Sequence, residues 1–459
     1  MKKIELEKII GYFLIVIAIG TLAYFAHFSQ TQIISVVVFS AFVAGSLFYW
    51  PFRNAFALVG ITFLLVLGVV DVTHLVEFAQ LNIILFLIGM FTIIVFLDDK
   101  KFFDWLMPKI VKPFYNNPYA MIAILFLLAT LMAALVDEVT SILFMSLLMI
   151  KILKVYKIEG SKVLPFIIFL VFTTNIGSSA LPVGNPVGVL VAFQAGLTAV
   201  NFLESVFPIA IIASVVTTLI ALLYLRSTIP SSSALAKMEL TKLEDLPMNR
   251  DIKLCAVVFV ATIAGLIVHA PIEVALKLPT DTLLLAVPLL MSGLVLFISR
   301  NNAPALIAKI DWWTLLYFTL LFASVGTLAY TGVTQNIANM IAHQTTSFIG
   351  AMLLLGGTIS ILTAFMDNVL AVATMAPVVK SLVASGFSAA PLWWIMLIGG
   401  TYCGNATVIG STANMVAAGL VEKRGFGQFS MLKWMKIGVP VSILTFFLGF
   451  GLLLLGMHL

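Results

Sequence analysis

Apolar stretches of about 17–25 residues recur along the whole of this chain, each long enough to cross a bilayer as a helix, and no other feature constrains its fold as tightly. Hydrophobic residues make up 62% of the 459 and charged ones 10%, against roughly 45–50% and 25% in a soluble domain. The weak ten-residue alternation of an outer-membrane barrel is missing. An all-α polytopic membrane protein is therefore expected. The N-terminal "MKKIELEKIIGYFLIVIAIG" shows no small-residue cleavage site and is read as a retained first helix. Cys255 and Cys403 lack metal-ligand spacing, and a net charge of +5 gives no argument for nucleic acid.

Spans are expected at 9–27, 32–50, 54–72 and 81–97, then a broken pair within 118–152, a broken span 163–197, and 204–226. After a polar linker follow 252–269, 281–298, 312–330, a second broken pair within 347–384, a broken span 390–421, and 437–457. Lys and Arg mark cytoplasmic loops. Lys2, Lys3 and Lys8 place the N-terminus there, Arg53, Lys100, Lys101, Lys109 and Lys112 mark the next inner loops, and Arg226 to Lys253 mark the linker. The last span then ends outside. Segment 118–152 has basic residues at both ends, so it is either two full spans or a re-entrant hairpin. Its residues alone do not choose.

Carboxylates interrupt two of the apolar runs. "AALVDEVTSILFMSLLMIK" carries Asp137 and Glu138, and "LTAFMDNVLAVATMAPVVK" carries Asp367, 230 residues later. Each is followed by a glycine-broken span, "TTNIGSSALPVGNPVGVLVAF" and "GTYCGNATVIGSTANMVAAG". Paired interruptions in two halves of opposite orientation are the sequence mark of a secondary transporter. The expected organisation is an extra N-terminal helix at 1–30, a first inverted repeat at 31–226, a cytoplasmic linker at 227–250 and a second repeat at 251–459.

Irregular backbone at membrane depth must be buried in protein or line a wet cavity. Gly184, Asn185 and Pro186 form a helix start, with Asn185 as N-cap and Pro186 at the first helical position. Ser411 and Thr412 are the equivalent caps in the second half. Two half-helix N-termini would offer N–H groups and partial positive charge to an anion. Asp137, Glu138, Thr140, Ser141, Asp367 and Asn368, with free carbonyls, make a hard-cation site. Na⁺ wants several oxygens, and a proton wants a carboxylate of raised affinity. A charge near bilayer centre costs at least ~2.5–3.5 kcal/mol, which marks it as functional. The competing structural account is an Asp that merely caps a helix, and it leaves Glu138 unexplained. Cys403 is read as a packing residue, the five histidines as interfacial, and Lys277 and Lys380 as snorkelling outward.

At these motifs the sequence resembles the ion transporter superfamily of citrate-transporter-like permeases, arsenite permeases, one class of sodium-proton antiporters and the P protein. The nearest resemblance is to the arsenite permease, antiporter and P-protein branch, through "GNATVIGSTANMVAAG" followed by "EKRG". The resemblance implies about eleven transmembrane helices plus two re-entrant hairpins, with broken helices at mid-membrane, a mobile transport domain, a scaffold that forms a homodimer, and elevator-like alternating access. It also implies that Asn175, Gly177, Gly404, Asn405, Gly410 and Asn414 join the residues above around the ion and solute. Glu138 departs from the family's usual Asn. The Ser-Asn-Thr tips of dicarboxylate carriers are absent.

The expected function is Na⁺- or H⁺-coupled transport of a small inorganic or organic anion across the plasma membrane, with Asp137 and Asp367 as Na⁺ ligands and no cofactor. Sodium-proton antiport, arsenite efflux and an ion channel are the alternatives. No protease or nucleotide-binding motif is present, so no enzyme is expected.

Overall fold

The computed structural model describes residues 2–456 apart from 115–116, 231–246, 345–346 and 428. Most of the expected linker, and His458, lie outside the described residues, as does the side chain of His343. All regular structure among the described residues is helical.

After α1 (Lys2–Phe25), the chain runs through α2 (Gln30–Phe48), α3 (Arg53–Val66), the short α4 (Val72–Phe78), α5 (Leu81–Asp99) and the amphipathic α6 (Phe102–Val111). Then come α7 (Pro118–Leu135), α8 (Glu138–Val155), α9 (Leu164–Ser178), α10 (Pro186–Ala195) and α11 (Ala199–Leu225). The same order of lengths returns. It comprises α12 (Arg250–Leu276), α13 (Thr282–Ile298), the short α14 (Ala303–Ala308), α15 (Trp312–Tyr330) and the amphipathic α16 (Val333–Gln344). It ends with α17 (Phe348–Phe365), α18 (Asn368–Ala384), α19 (Ala389–Tyr402), α20 (Thr412–Lys423) and α21 (Met431–Gly456). Ten of the described helices are long and apolar enough to cross a membrane.

The expected spans recur with shifted ends. The span placed at 54–72 divides at Leu67–Asp71, because Gly68 adopts a left-handed turn and Asp71 caps a new helix on the backbone N–H of His74. The span placed at 252–269 continues to Leu276, so His269 is a buried helix residue whose Nδ1 meets the carbonyl of Leu266 at 2.8 Å.

Packing crosses between the two series. The long helix α5 lies against α13, and α15 lies against α3. Within each series the arms α7 and α17 pack on α9 and α19. The second half of each broken span crosses over, α20 onto α8 and α9, and α10 onto α18 and α19. This exchange brings both breaks and both carboxylate turns to one place in the interior.

Candidate functional site

Four helix N-termini meet there. Helix α7 stops at Leu135, and Asp137 turns extended and caps α8, its Oδ1 accepting from the N–H groups of Val139 at 2.7 Å and Thr140 at 2.9 Å. Asp367 does the same for α18, accepting from Val369 N at 3.0 Å. Asn185 caps α10 through Gly188 N at 2.6 Å, with Pro186 at the first position, where its missing N–H costs nothing. Ser411 caps α20 through Ala413 N at 3.1 Å. Each cap satisfies at least one N–H of its helix and leaves the positive end of that helix aimed inward.

Glu138, buried to 2% exposure, occupies the point where they converge. Its Oε2 accepts from Ser178 Oγ at 3.1 Å and Asn185 Nδ2 at 3.5 Å, and its Oε1 accepts from Ser411 Oγ at 3.4 Å. Asn368 Nδ2 lies 3.4 Å from both oxygens. Only the first contact is short, and none of the ion pairs among the described residues involves this carboxylate. The neighbouring Asp137 keeps its second oxygen buried and unpartnered. Asp367 gives its second oxygen to Thr412 Oγ1 at 2.6 Å.

Beneath this ring the two breaks are tied together. Asn175 Nδ2 donates to Asn405 Oδ1 at 2.7 Å and Asn414 Oδ1 at 2.8 Å, while Asn414 Nδ2 donates to the carbonyls of Gly404 and Thr407. Ser411 Oγ reaches Asn175 Oδ1 at 3.2 Å. The glycines act through close approach. A Cβ on Gly184 would stand 2.3 Å from the carbonyl of Ser178, and one on Gly410 would stand 2.4 Å from that of Gly404. A Cβ on Gly177 would stand 2.3 Å from the carbonyl oxygen of Thr130, and Gly404 is hemmed in less tightly, at 2.8 Å from that of Gly410.

A cavity of about 310 Å³ opens onto this centre. Asp137, Glu138, Thr140, Asn185 and Thr412 contribute its polar wall, and α5 contributes apolar residues from Phe86 to Val95. It leads to Lys309 and Asp311 at the end of the bundle where Lys309 pairs with Asp99 and Lys100 pairs with Asp251. On the other side of the bundle, a cavity of about 250 Å³ runs between α10, α15 and α18, with Lys380 exposed on its wall. There Gln194 Nε2 donates to Gln80 Oε1 at 2.7 Å.

All sixteen residues singled out in the sequence belong to the hairpin turns and breaks. They divide into cavity-lining residues (Asp137, Glu138, Thr140, Asn185, Thr412) and residues behind the wall. Asn175, Asn405 and Asn414 hold the breaks to each other, Asn368 and Ser411 hold Glu138, and Ser141 is buried with its hydroxyl unpartnered. Cys403 is buried with its thiol toward the carbonyl of Ser442 and does not line the cavity. No group of three His, Cys, Asp or Glu side chains suited to a metal ion occurs among the described residues.

Sequence reasoning missed two residues. Ser178 bridges Asn185, which donates to its Oγ at 2.6 Å, to Glu138. Its position one residue after Gly177 in the break was the available signal. Arg53 was assigned to an inner loop and is instead buried to 7% exposure at the start of α3, stacked 4.3 Å from the Trp50 ring. Trp50 is a local neighbour, but the Tyr317 ring and Thr314 hydroxyl that complete its cover come from α15.

The citrate transporter family, CitMHS, matches residues 46–399. The 46 kDa membrane protein of Mycobacterium leprae is 28% identical over 374 residues, 79% of this chain and 83% of that protein. An uncharacterized transporter of Mycobacterium tuberculosis is 28% identical over 378 residues, 80% of this chain and 85% of that protein. The P protein of Homo sapiens is 25% identical over 459 residues, covering 84% of this chain and 54% of that longer protein. The YdaH transporter of Alcanivorax borkumensis shares the fold, with a TM-score of 0.53 and 16% identity over 84% of this chain and 86% of that one.

Proposed function

Because the chain belongs to the citrate transporter family and is an integral membrane transporter, we propose that it couples Na⁺ or H⁺ to the movement of a small solute, an inorganic or small organic anion. One observation carries this reading: buried Glu138, with no basic partner, stands where four helix N-termini meet on the wall of the 310 Å³ cavity. The helix ends favour a negative guest, and the carboxylates repel one. An anion therefore enters the cavity at low cost only once Glu138 and Asp137 are neutralised. Neutralisation by Na⁺ or a proton is the coupling.

The two helix series correspond to inverted repeats at 31–226 and 251–459, joined by the linker 227–250. In this reading α7–α8 and α17–α18 are re-entrant hairpins, and together with the broken spans α9–α10 and α19–α20 they form the moving body. Helices α2–α5 and α12–α15 form the scaffold, through which two copies pair. The Lys100 and Lys309 end is cytoplasmic by the positive-inside rule, with the N-terminus inside, the C-terminus outside and the protein in the plasma membrane. The larger cavity is then the cytoplasmic half of the path and the cavity at Gln80 and Gln194 the outer half, which supports elevator-like alternating access.

Sodium-proton antiport is a second reading, favoured by the orphaned Oδ2 of Asp137, an oxygen ready for a cation. One experiment addresses both. The protein is reconstituted in liposomes with a trapped pH dye, and Na⁺, Li⁺ or K⁺ is pulsed against wild type, Asp137→Asn, Glu138→Gln and Asp367→Asn. Cation-driven proton movement lost in the variants establishes exchange at these carboxylates. A silent dye, with anion uptake under an imposed Na⁺ or H⁺ gradient, establishes co-transport. Silence in both assays overturns the proposal.

A further inference from the structure

A second polar cluster lies on the scaffold side of Asp367. A small cavity of about 30 Å³ separates Ser46, Leu47 and Trp50 from Asp367, Leu370 and Met415. Ser46 lines the scaffold side, its hydroxyl facing that of Tyr317, and behind it lies the buried guanidinium of Arg53, whose Nε has no partner. They come from three different helices, α2, α3 and α15, which rules out a local capping role. Arg53 is held in place by stacking on Trp50, by lying 5.2 Å from the Tyr317 ring centroid, and by donating to Trp50 O at 3.3 Å and Thr314 Oγ1 at 3.2 Å. Asp311 also faces it, with both its oxygens already engaged by Thr314. Arg53 and Asp367 feel each other's charge across the gap without forming an ion pair.

An unused guanidinium N–H on a buried surface is costly unless something accepts from it at another stage of the cycle. The group opposite is a carboxylate on the other body. A free anion is disfavoured in this gap because Asp367 itself lines it.

We propose that Arg53, with Ser46 and Tyr317, forms a receptor for the carboxylate of Asp367 whenever that carboxylate carries no cation or proton, so that the unloaded carrier is pinned in its Lys309-open position. This rests on the proposed ion coupling, with Asp367 as one of the carboxylates that takes up the cation or proton. Loading Asp367 removes its charge, releases the hairpin and permits movement. An unloaded carrier that cannot move is what obligatory exchange requires, so the latch belongs with the antiport reading, whereas co-transport needs the empty carrier to return. Arg53 is thus a positioning residue that acts through Asp367.

The test reads conformation directly. Leu143 lines the larger cavity. Leu143→Cys is placed in a full-length chain carrying Cys255→Ala and Cys403→Ala, and its reaction with an impermeant maleimide is timed in inside-out vesicles at neutral pH without Na⁺. Losing one charge-assisted hydrogen bond lowers the open-to-closed ratio about tenfold, so for a parent about ten-to-one open, Arg53→Met and Asp367→Asn are each expected to slow the reaction by about twofold. The double variant should be no slower than either, and Arg53→Lys should stay near the parent rate. Tyr317→Phe retains the ring, should slow labelling less, and provides the answer if Arg53→Met fails to fold. Parent rates in Arg53→Met and Asp367→Asn, or additive effects in the double variant, overturn the latch. Failure of the coupling role looks different: Na⁺ and acid then leave parent labelling unchanged, while the Asn and Met variants still slow it.

Discussion

Replacing Glu138 by Gln keeps the shape of the side chain and removes its charge. Four residues point donors at this carboxylate, of which only Ser178, at 3.1 Å, is at ordinary hydrogen-bond distance. Ser178 and Ser411 are hydroxyls that can turn and accept from a glutamine amide, so the substitution need not orphan a donor. Against those weak contacts stands the burden of an ionised carboxylate at this depth, at least ~2.5–3.5 kcal/mol. Glu138→Gln should therefore unfold at or above the wild-type temperature in choline buffer at neutral pH. The difference should lie in the response to ions. A cation that binds only the folded protein adds about 2.7 kcal/mol at a hundred times its Kd. Wild type should show that rise in a Na⁺ titration followed by thermal unfolding in detergent, and the variant should show little of it, together with loss of cation-driven proton movement. A Glu138→Gln protein that keeps the full Na⁺ stabilisation and the proton movement would refute the assignment of this carboxylate as the coupling site.

Asn175→Ala leaves the side-chain oxygens of Asn405 and Asn414 without their donor, at ~1–3 kcal/mol for each orphaned oxygen, and should lower the unfolding temperature with Na⁺ present or absent. Gly410→Ala drives a methyl against the carbonyls of Gly404 and Thr363, at 2.4 and 2.7 Å, an overpacking cost of ~1–3 kcal/mol, and should abolish flux in protein that still reaches the membrane. Lys309→Ala breaks a pair with Asp99 that solvent reaches, so the unfolding free energy should change by less than ~1 kcal/mol. Cys403→Ala should leave flux intact, and its loss would revive a thiol role.

What the sequence disclosed was whatever the two halves repeat. Asp137 and Asp367, the caps Asn185 and Ser411, and the amide Asn175 all sit at interruptions of an apolar run, where polarity stands out against its surroundings. The capping account of the two aspartates also holds as far as it goes, since one oxygen of each binds its own helix end. What was hidden depends on contact between distant segments. Arg53 follows Trp50 and Pro51 and has the local look of a loop cation. Its burial exists only because α15 lies on α3, bringing Thr314 and Tyr317 some 260 residues along the chain to meet it. The division of the amides between lining and bracing could not be read either, because it follows from which arm each broken helix crosses.

The pairing at the centre has a consequence for coupling. Glu138 and Asn368 occupy corresponding turns 230 residues apart and touch each other, as do Asn175 and Asn405. Residues related in this way can meet only close to the axis that relates the two halves. A carboxylate on both sides would put two like charges within hydrogen-bond distance, at a cost that low polarity around them magnifies. With Glu in one half and Asn in the other, the axis carries a single charge, and the amide is a donor turned toward it. Asp137 and Asp367 stand off the axis, each on its own helix start. If Glu138 is the coupling site proposed above, a cation or proton that neutralises it is shared by both halves of the site. In an elevator-like carrier that charge travels with the moving body, with its ligands from both halves around it.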